Sequence, residues 1–148
     1  MTVFRFRLQQ VLDLREKQER HLATQLAAAL HAEQVARDAL DSLRAEREAG
    51  AMGSQKGPSI SVGELTNTAF ILQQLDGQIT DANDTVSAAN NSVSQMKDAF
   101  NAAFKNRRIL DRLREHHEET YRVTAEQTDR RAMDDIALSR FVHNDNGQ

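Results

Sequence analysis

The sequence predicts an all-α protein, a two-helix antiparallel coiled-coil hairpin in a single domain, with the second helix longer than the first. Three observations predict this class. The 148 residues are 28% charged and include six Phe, one Tyr and no Trp, which is little aromatic bulk for a compact core. Four of the six glycines and the only proline fall within residues 50–63. Apolar repeats at helical spacing flank that stretch on both sides.

The first predicted helix covers residues 4 to about 49. Its apolar stripe takes twelve positions at heptad spacing, eight of them apolar: Leu8, Leu12, Arg15, Glu19, Leu22, Leu26, Ala29, Glu33, Ala36, Leu40, Leu43 and Arg47. We call this stripe, with its counterpart on the second helix, the seam. We expect the four charged members to lie at the edges of the seam, where their alkyl stems cover apolar surface.

A Gly-rich joint is predicted over residues 50–61. Gly50 follows a charged, helix-favouring run, and is expected to end the first helix in a left-handed conformation. Ser61 and Glu64 have the spacing of a capping box, in which each side chain accepts a hydrogen bond from the other residue's backbone amide. The second helix is therefore predicted to begin at Ser61 or Val62 and to reach about residue 142, with a tail over residues 143–148.

The second helix carries the strongest pattern in the chain. Twelve positions at heptad spacing are all apolar: Leu65, Leu72, Leu75, Ile79, Ala82, Val86, Ala89, Val93, Met96, Phe100, Ala103 and Leu110. An apolar repeat of 3.5 residues, sustained this long, keeps one narrow stripe facing a partner helix. This half of the seam therefore predicts a coiled coil.

A short joint between two such helices favours antiparallel packing. With Arg47 placed opposite Leu65, Leu8 would lie opposite Phe104, and the first helix would run out where the second seam does. Residues after Leu110 would then form an overhang with nothing in the chain to pair with. Such an arm is bent, paired with another chain, or inserted into a partner.

Composition and motif spacing argue against catalysis and cofactors. The chain has no cysteine, which removes disulfides and thiolate metal sites and suits a reducing cytoplasm. The cluster at residues 116–119, His-His-Glu-Glu, offers at most two ligands from one helix face, so no metal is expected. Phosphate-binding glycine motifs are absent, and a two-helix hairpin has no cleft. We therefore predict no enzyme, no cofactor and no small-molecule substrate.

The charge balance and hydropathy point to protein partners. The net charge is −3, which gives no positive field for nucleic acid. The Phe-Arg-Phe-Arg run at residues 4–7 and the pair Arg107-Arg108 lie among charges of mixed sign, so we interpret both as solvated surface. The longest apolar run, residues 26–30, is too short to span a membrane. A cytoplasmic protein is expected.

Two apolar groups fall outside the seam. Phe70 and Ile71 point away from it in the heptad register, and either anchor a partner or are covered by Met52, Ile60 or Val62 of the joint. A second group keeps helical spacing on the overhang: Met133, Ile136, Ala137, Arg140 and Phe141. We call it the overhang stripe. The alternatives for it are a frayed tail and burial against Phe4 and Phe6.

Both ends of the sequence resemble one family. The run FRFRLQQVLDLREKQE at residues 4–19 is similar to the F-x-F-x-L-x-x-V-L-x-L-R opening of FliJ flagellar export proteins. The run MDDIALSR at residues 133–140 resembles that family's M-D-E-[FI]-A-x-x-R ending, with Asp135 where Glu is frequent. Length, joint and longer second helix agree as well. The whole chain therefore resembles the FliJ family.

The resemblance implies a non-catalytic, stalk-like component of the bacterial flagellar type III export apparatus, cytoplasmic and peripheral to the membrane at the flagellar base. Such proteins bind the export ATPase ring and promote its assembly, contact the export gate protein FlhA, and interact with export chaperones. By this resemblance the ATPase-binding residues are Phe4, Phe6, Leu8, Met133, Asp134, Asp135, Ile136 and Arg140. The gate-binding residues are Phe70, Ile71 and Leu75. Membrane association would come only through partners.

Two other functions remain open. A self-associating structural coiled coil would pair its overhangs in trans, although the polar heptad positions after Leu110 are atypical of a homodimeric seam. A secretion chaperone would bind export substrates without an ATPase partner, and would need a wider apolar groove than the patch at Phe70 and Ile71 provides.

Overall fold

The protein consists of two long α-helices. The computed structural model describes residues 3–53, 57 and 59–145, and within them α1 covers Gln9–Gly53 (45 residues) and α2 covers Val62–Asp145 (84 residues). These described ranges contain no β-strand. The predicted all-α hairpin with a longer second helix is confirmed. Neither helix offers, over its described residues, a stretch long and apolar enough to cross a membrane.

The helices fall into two compact units. Unit 1 combines Met1–Gln18 with Phe104–Gln148, and unit 2 covers Glu19–Ala103. Each unit contains a portion of α1 and a portion of α2, so each holds part of the seam. The organisation of residues 1–148 as a single domain stays a prediction.

Unit 2 confirms the predicted seam. Every predicted position from Glu19 to Leu43 on α1, and from Leu72 to Ala103 on α2, is buried or half-buried. Leu40 and Val93 are the most buried of them, at 6% and 5% exposure. The charged member Glu33 stays half-buried at the edge of the seam, where it pairs with Arg37. Leu65 departs from the prediction, since 57% of it is exposed.

The register of the two helices differs from the predicted one. The sequence predicts Arg47 opposite Leu65, whereas the Arg47 side chain donates to the carboxylate of Asp76, eleven residues further along α2. The apolar positions repeat along both helices, so the heptad pattern alone does not select a register. Polar contacts between the helices select the register instead. Arg44 donates to Asn83 Oδ1 at 3.4 Å, and Arg37 donates to Asn90 Oδ1 at 3.3 Å.

The pair between Arg47 and Asp76 is exposed. The hydrogen bond from Arg47 holds the pKa of Asp76 below its ordinary value, and the same bond raises the pKa of Arg47. Because water screens both groups, such a pair adds little free energy of folding. Its contribution is to select one register among those that the apolar stripe allows.

Gly50 lies inside α1 and does not end it. The expected left-handed conformation is wrong, because no described glycine has a positive φ and the helix continues to Gly53. A Cβ atom on Gly50 would meet Leu72 Cδ2 at 3.4 Å. The residue therefore allows α2 to approach α1 closely, and this contact agrees with the observed register.

The start of α2 follows the predicted capping box. Ser61 N donates to Glu64 Oε2 at 3.1 Å, and Glu64 N donates to Ser61 Oγ at 3.2 Å. Both bonds satisfy amides that have no partner within the helix. The observed first residue, Val62, agrees with that cap.

The substitution Gly77→Ala is expected to raise the free energy of unfolding by about 0.5–1 kcal/mol. Gly77 is an exposed residue within α2, and a Cβ atom there would meet nothing within 4 Å. Gly50→Ala is expected to gain less, because its Cβ atom would meet Leu72. Denaturant unfolding followed by circular dichroism measures both variants. A loss of stability in Gly77→Ala would contradict the placement of Gly77 within a continuous helix.

Candidate partner-binding surfaces

The segment before α1 packs on α2 within unit 1. Residues 3–6 are not helical, and α1 begins at Gln9, where Gln9 N donates to Phe6 O at 3.1 Å. The predicted helix start near residue 4 is therefore wrong. In an extended segment side chains two residues apart point the same way, so Phe4 and Phe6 both turn towards α2.

Phe4 and Phe6 find aromatic partners on α2. The ring centroids of Phe4 and Tyr121 are 5.7 Å apart, and those of Phe6 and His117 are 5.9 Å apart with an edge-on orientation. Phe6 is only 7% exposed. Of the N-terminal residues predicted to bind the ATPase, Phe6 is thus a core residue, Phe4 is half-buried, and Leu8 is 37% exposed.

The overhang begins later than predicted. Half-buried residues of α2 continue past Leu110 to Tyr121, because the N-terminal segment covers that part of the helix. All side chains over residues 122–144 are exposed. Arg122 donates to Glu119 at 2.7 Å and to Glu126 at 3.2 Å, and its bond holds the pKa of Glu119 below the ordinary value. We use the word overhang for residues 122–144 from here on.

The overhang stripe is exposed along its whole length. Met133 is 71% exposed, Ile136 is 50% exposed and Phe141 is 72% exposed. The alternative in which Phe4 and Phe6 bury this stripe is therefore wrong, and α2 is helical as far as Asp145. Exposed charged residues alternate with the apolar ones, among them Asp134, Asp135 and Arg140. The stripe is a helical face with apolar anchors and a charged rim.

The predicted gate-binding residues divide between two environments in unit 2. Phe70 is 59% exposed and Ile71 is 48% exposed, so the joint residues that the structure describes do not cover them. Leu75 is half-buried in the seam. Ile71 also lines a shallow concavity of about 350 Å³, together with Gly50, Gly53, Ile60, Glu64, Leu65, Thr68 and Leu72. Phe70 and Ile71 therefore form the accessible patch, and Leu75 supports it from inside.

A basic concavity in unit 1 was not predicted from the sequence. It is lined by Phe4, Arg5, Phe6, Arg7, Gln9, Gln10 and Arg114. The Phe-Arg-Phe-Arg run at residues 4–7 was the available signal, because it supplies two of the three arginines and both aromatic residues of the lining. Its relation to Arg114 depends on the helix register, which the sequence pattern leaves open.

Within the described residues, no three side chains of His, Asp or Glu lie close enough to hold a metal ion. The rings of His116 and His117 are 6.4 Å apart, and that of His117 is engaged by Phe6. The surfaces described above offer apolar anchors and charged groups to a partner.

Comparison with known proteins gives one finding. A protein-family model described as "Flagellar FliJ protein" matches residues 4–146, which include both terminal motifs, the seam and all three surfaces described above. No curated protein and no solved structure gave a significant match.

Proposed function

Because this chain belongs to the flagellar FliJ protein family and is thereby a component of the flagellar export apparatus, we propose that it is the stalk-like, non-catalytic protein of that apparatus. In this function it binds the export ATPase ring, promotes its assembly and activity, and couples it to the export gate protein FlhA. It also interacts with export chaperones. ATP hydrolysis belongs to the ring, and the protein works in the cytoplasm, held at the membrane by its partners.

The observation that carries the proposal is the exposed overhang stripe. Monomeric proteins bury most large apolar side chains, whereas Met133, Ile136 and Phe141 are at least half exposed on one helix end. An apolar helical face with charged neighbours suits a partner groove that receives a helix. We assign ring contacts to these residues and to Asp134, Asp135 and Arg140 at their edges.

The N-terminal residues assigned to ATPase binding have two different roles. Phe6, buried against His117, fixes the segment before α1 and acts as a positioning residue. Phe4 and Leu8 keep part of their surface accessible, so they are available to extend the contact with the ring.

The patch of Phe70 and Ile71 in unit 2 is the proposed contact with FlhA. An exposed aromatic residue beside an exposed isoleucine is the composition that binding hot spots favour. Leu75 belongs to the seam and acts by holding this turn of α2 against α1.

Two variants separate the proposed contacts. Replacing Met133, Ile136 and Phe141 together by Ser is expected to abolish stimulation of the export ATPase and to leave FlhA binding unchanged. Phe70→Ala is expected to weaken FlhA binding about tenfold or more, since burying such a side chain contributes about 1.5–3 kcal/mol, and to leave stimulation unchanged. ATPase assays and pull-downs with purified partners measure both.

The matched control replaces Leu14, Leu30 and Val35 by Ser, because these α1 residues are 54%, 42% and 54% exposed and belong to neither surface. The control is expected to keep both activities. Normal stimulation by the overhang variant would overturn the assignment of the stripe. A stable dimer of the isolated protein, dissociated by the same substitutions, would instead support a self-associating structural coiled coil.

A further inference from the structure

Three arginines from two parts of the chain line one concavity of about 540 Å³ in unit 1. Arg5 and Arg7 come from the segment before α1, and Arg114 comes from α2. The partly accessible Phe4 and the buried Phe6 line the same concavity. The proposed contacts with the ATPase and with FlhA give no role to these arginines.

The side chains of these three arginines are exposed. Within the described residues, none of Arg5, Arg7 and Arg114 forms a hydrogen bond or an ion pair, whereas Arg47 and Arg122 do. The first turn of α1 contains no acidic residue. The carboxylate of Asp13 accepts a bond from the Gln9 amide at 2.9 Å. Three exposed guanidinium groups that line one concavity are available to pair with an anion there.

The net charge of the protein favours a short anionic ligand over an extended one. Unit 1 carries thirteen Lys and Arg against eleven Asp and Glu, whereas unit 2 carries six against eleven. The whole chain has a net charge of −3, which disfavours an extended polyanion such as duplex DNA or an anionic bilayer. A short anionic segment that reaches only the concavity avoids this repulsion.

We propose that this concavity binds an acidic segment of a partner protein. Guanidinium groups pair with carboxylates through two parallel hydrogen bonds, which makes Arg the suitable residue for reading Asp and Glu side chains. The exposed part of Phe4 offers apolar surface to a side chain between the acidic ones. This inference rests on three arginines that the proposed ring and gate contacts do not use, and it shares only Phe4 with the proposed ring contact.

The test uses a short labelled peptide of alternating Glu and Leu, with a Gln-for-Glu version as its control. The variant carries Arg5→Gln, Arg7→Gln and Arg114→Gln. A matched variant carries Lys17→Gln, Lys97→Gln and Lys105→Gln, which removes the same charge from exposed lysines outside the concavity. Fluorescence anisotropy at low salt is expected to show binding about tenfold or more weaker for the arginine variant, and little change for the lysine variant.

Two results would overturn the proposal. Equal affinities of the two variants would show that net charge, and not the concavity, attracts the peptide. Tighter binding of duplex DNA or of phosphatidylserine vesicles than of the peptide, lost in the arginine variant, would reassign the concavity to nucleic acid or lipid. Circular dichroism confirms that both variants stay folded, and ATPase stimulation is measured separately, so a failure here is distinguishable from a failure of the proposed function.

Discussion

Replacing Leu12 by alanine is expected to lower the free energy of unfolding by about 2–4 kcal/mol. Leu12 is 0% exposed and is the one fully buried side chain among the described residues. It lies in the first turns of α1, in the unit where the Phe6 side chain is also buried. Shortening the Leu12 side chain to alanine removes apolar contacts and leaves a space that the two helices fill only in part. Denaturant unfolding followed by circular dichroism gives the difference.

Leu14→Ala is the matched control for this prediction. It removes the same atoms from the same helix two residues away, but 54% of Leu14 is exposed. Its expected cost is within about 0.5 kcal/mol, as for surface substitutions elsewhere. Equal losses in the two variants would mean that Leu12 does not occupy the seam, and would contradict the packing of unit 1.

A chain that ends at Arg122 is expected to fold normally but to lose all stimulation of the export ATPase. Tyr121 is the last half-buried residue among the described residues of α2, so this truncation removes none of their buried or half-buried side chains. It does remove the complete overhang stripe, including Met133 and Phe141. The expected rate is that of the ATPase alone, while the midpoint of thermal unfolding stays within a few degrees of the full chain.

A chain that ends at Leu110 is the informative comparison. This shorter form also loses His117 and Tyr121, the aromatic partners of Phe6 and Phe4. It is therefore expected to lose both stimulation and stability, so its inactivity alone would not separate the two causes. Full stimulation by the chain that ends at Arg122 would contradict the assignment of ring binding to the overhang.

The sequence predicted the helices and their buried faces well, because burial follows directly from apolar periodicity. Ten of the twelve predicted α1 positions and eleven of the twelve predicted α2 positions are buried or half-buried. The exceptions are Leu8, Arg47 and Leu65, which lie at the ends of the predicted stripes. Apolar stripes repeat, however, so they leave the register open. Arg47 was consequently placed opposite the wrong residue.

The candidate surfaces were predictable only where they depend on a single helix. The heptad positions of Phe70 and Ile71 placed both residues outside the seam, although the sequence left open whether residues of the joint cover them. The basic concavity places Arg114 beside residues more than a hundred positions earlier, and this placement needs both the register and the extended segment at Phe4 and Phe6. The late start of the overhang has the same origin, since that segment covers α2 as far as Tyr121.

Because every side chain of the overhang is exposed, no buried side chain holds it in helical form. Its helicity rests on a helix–coil equilibrium, in which Thr124 and Thr128 are weak helix formers whose hydroxyls bond back to carbonyls one turn earlier. A partner that binds the helical form has its affinity reduced by the fraction of time that this form is populated. Residues that touch no partner can therefore set the strength of binding, through helix propensity alone.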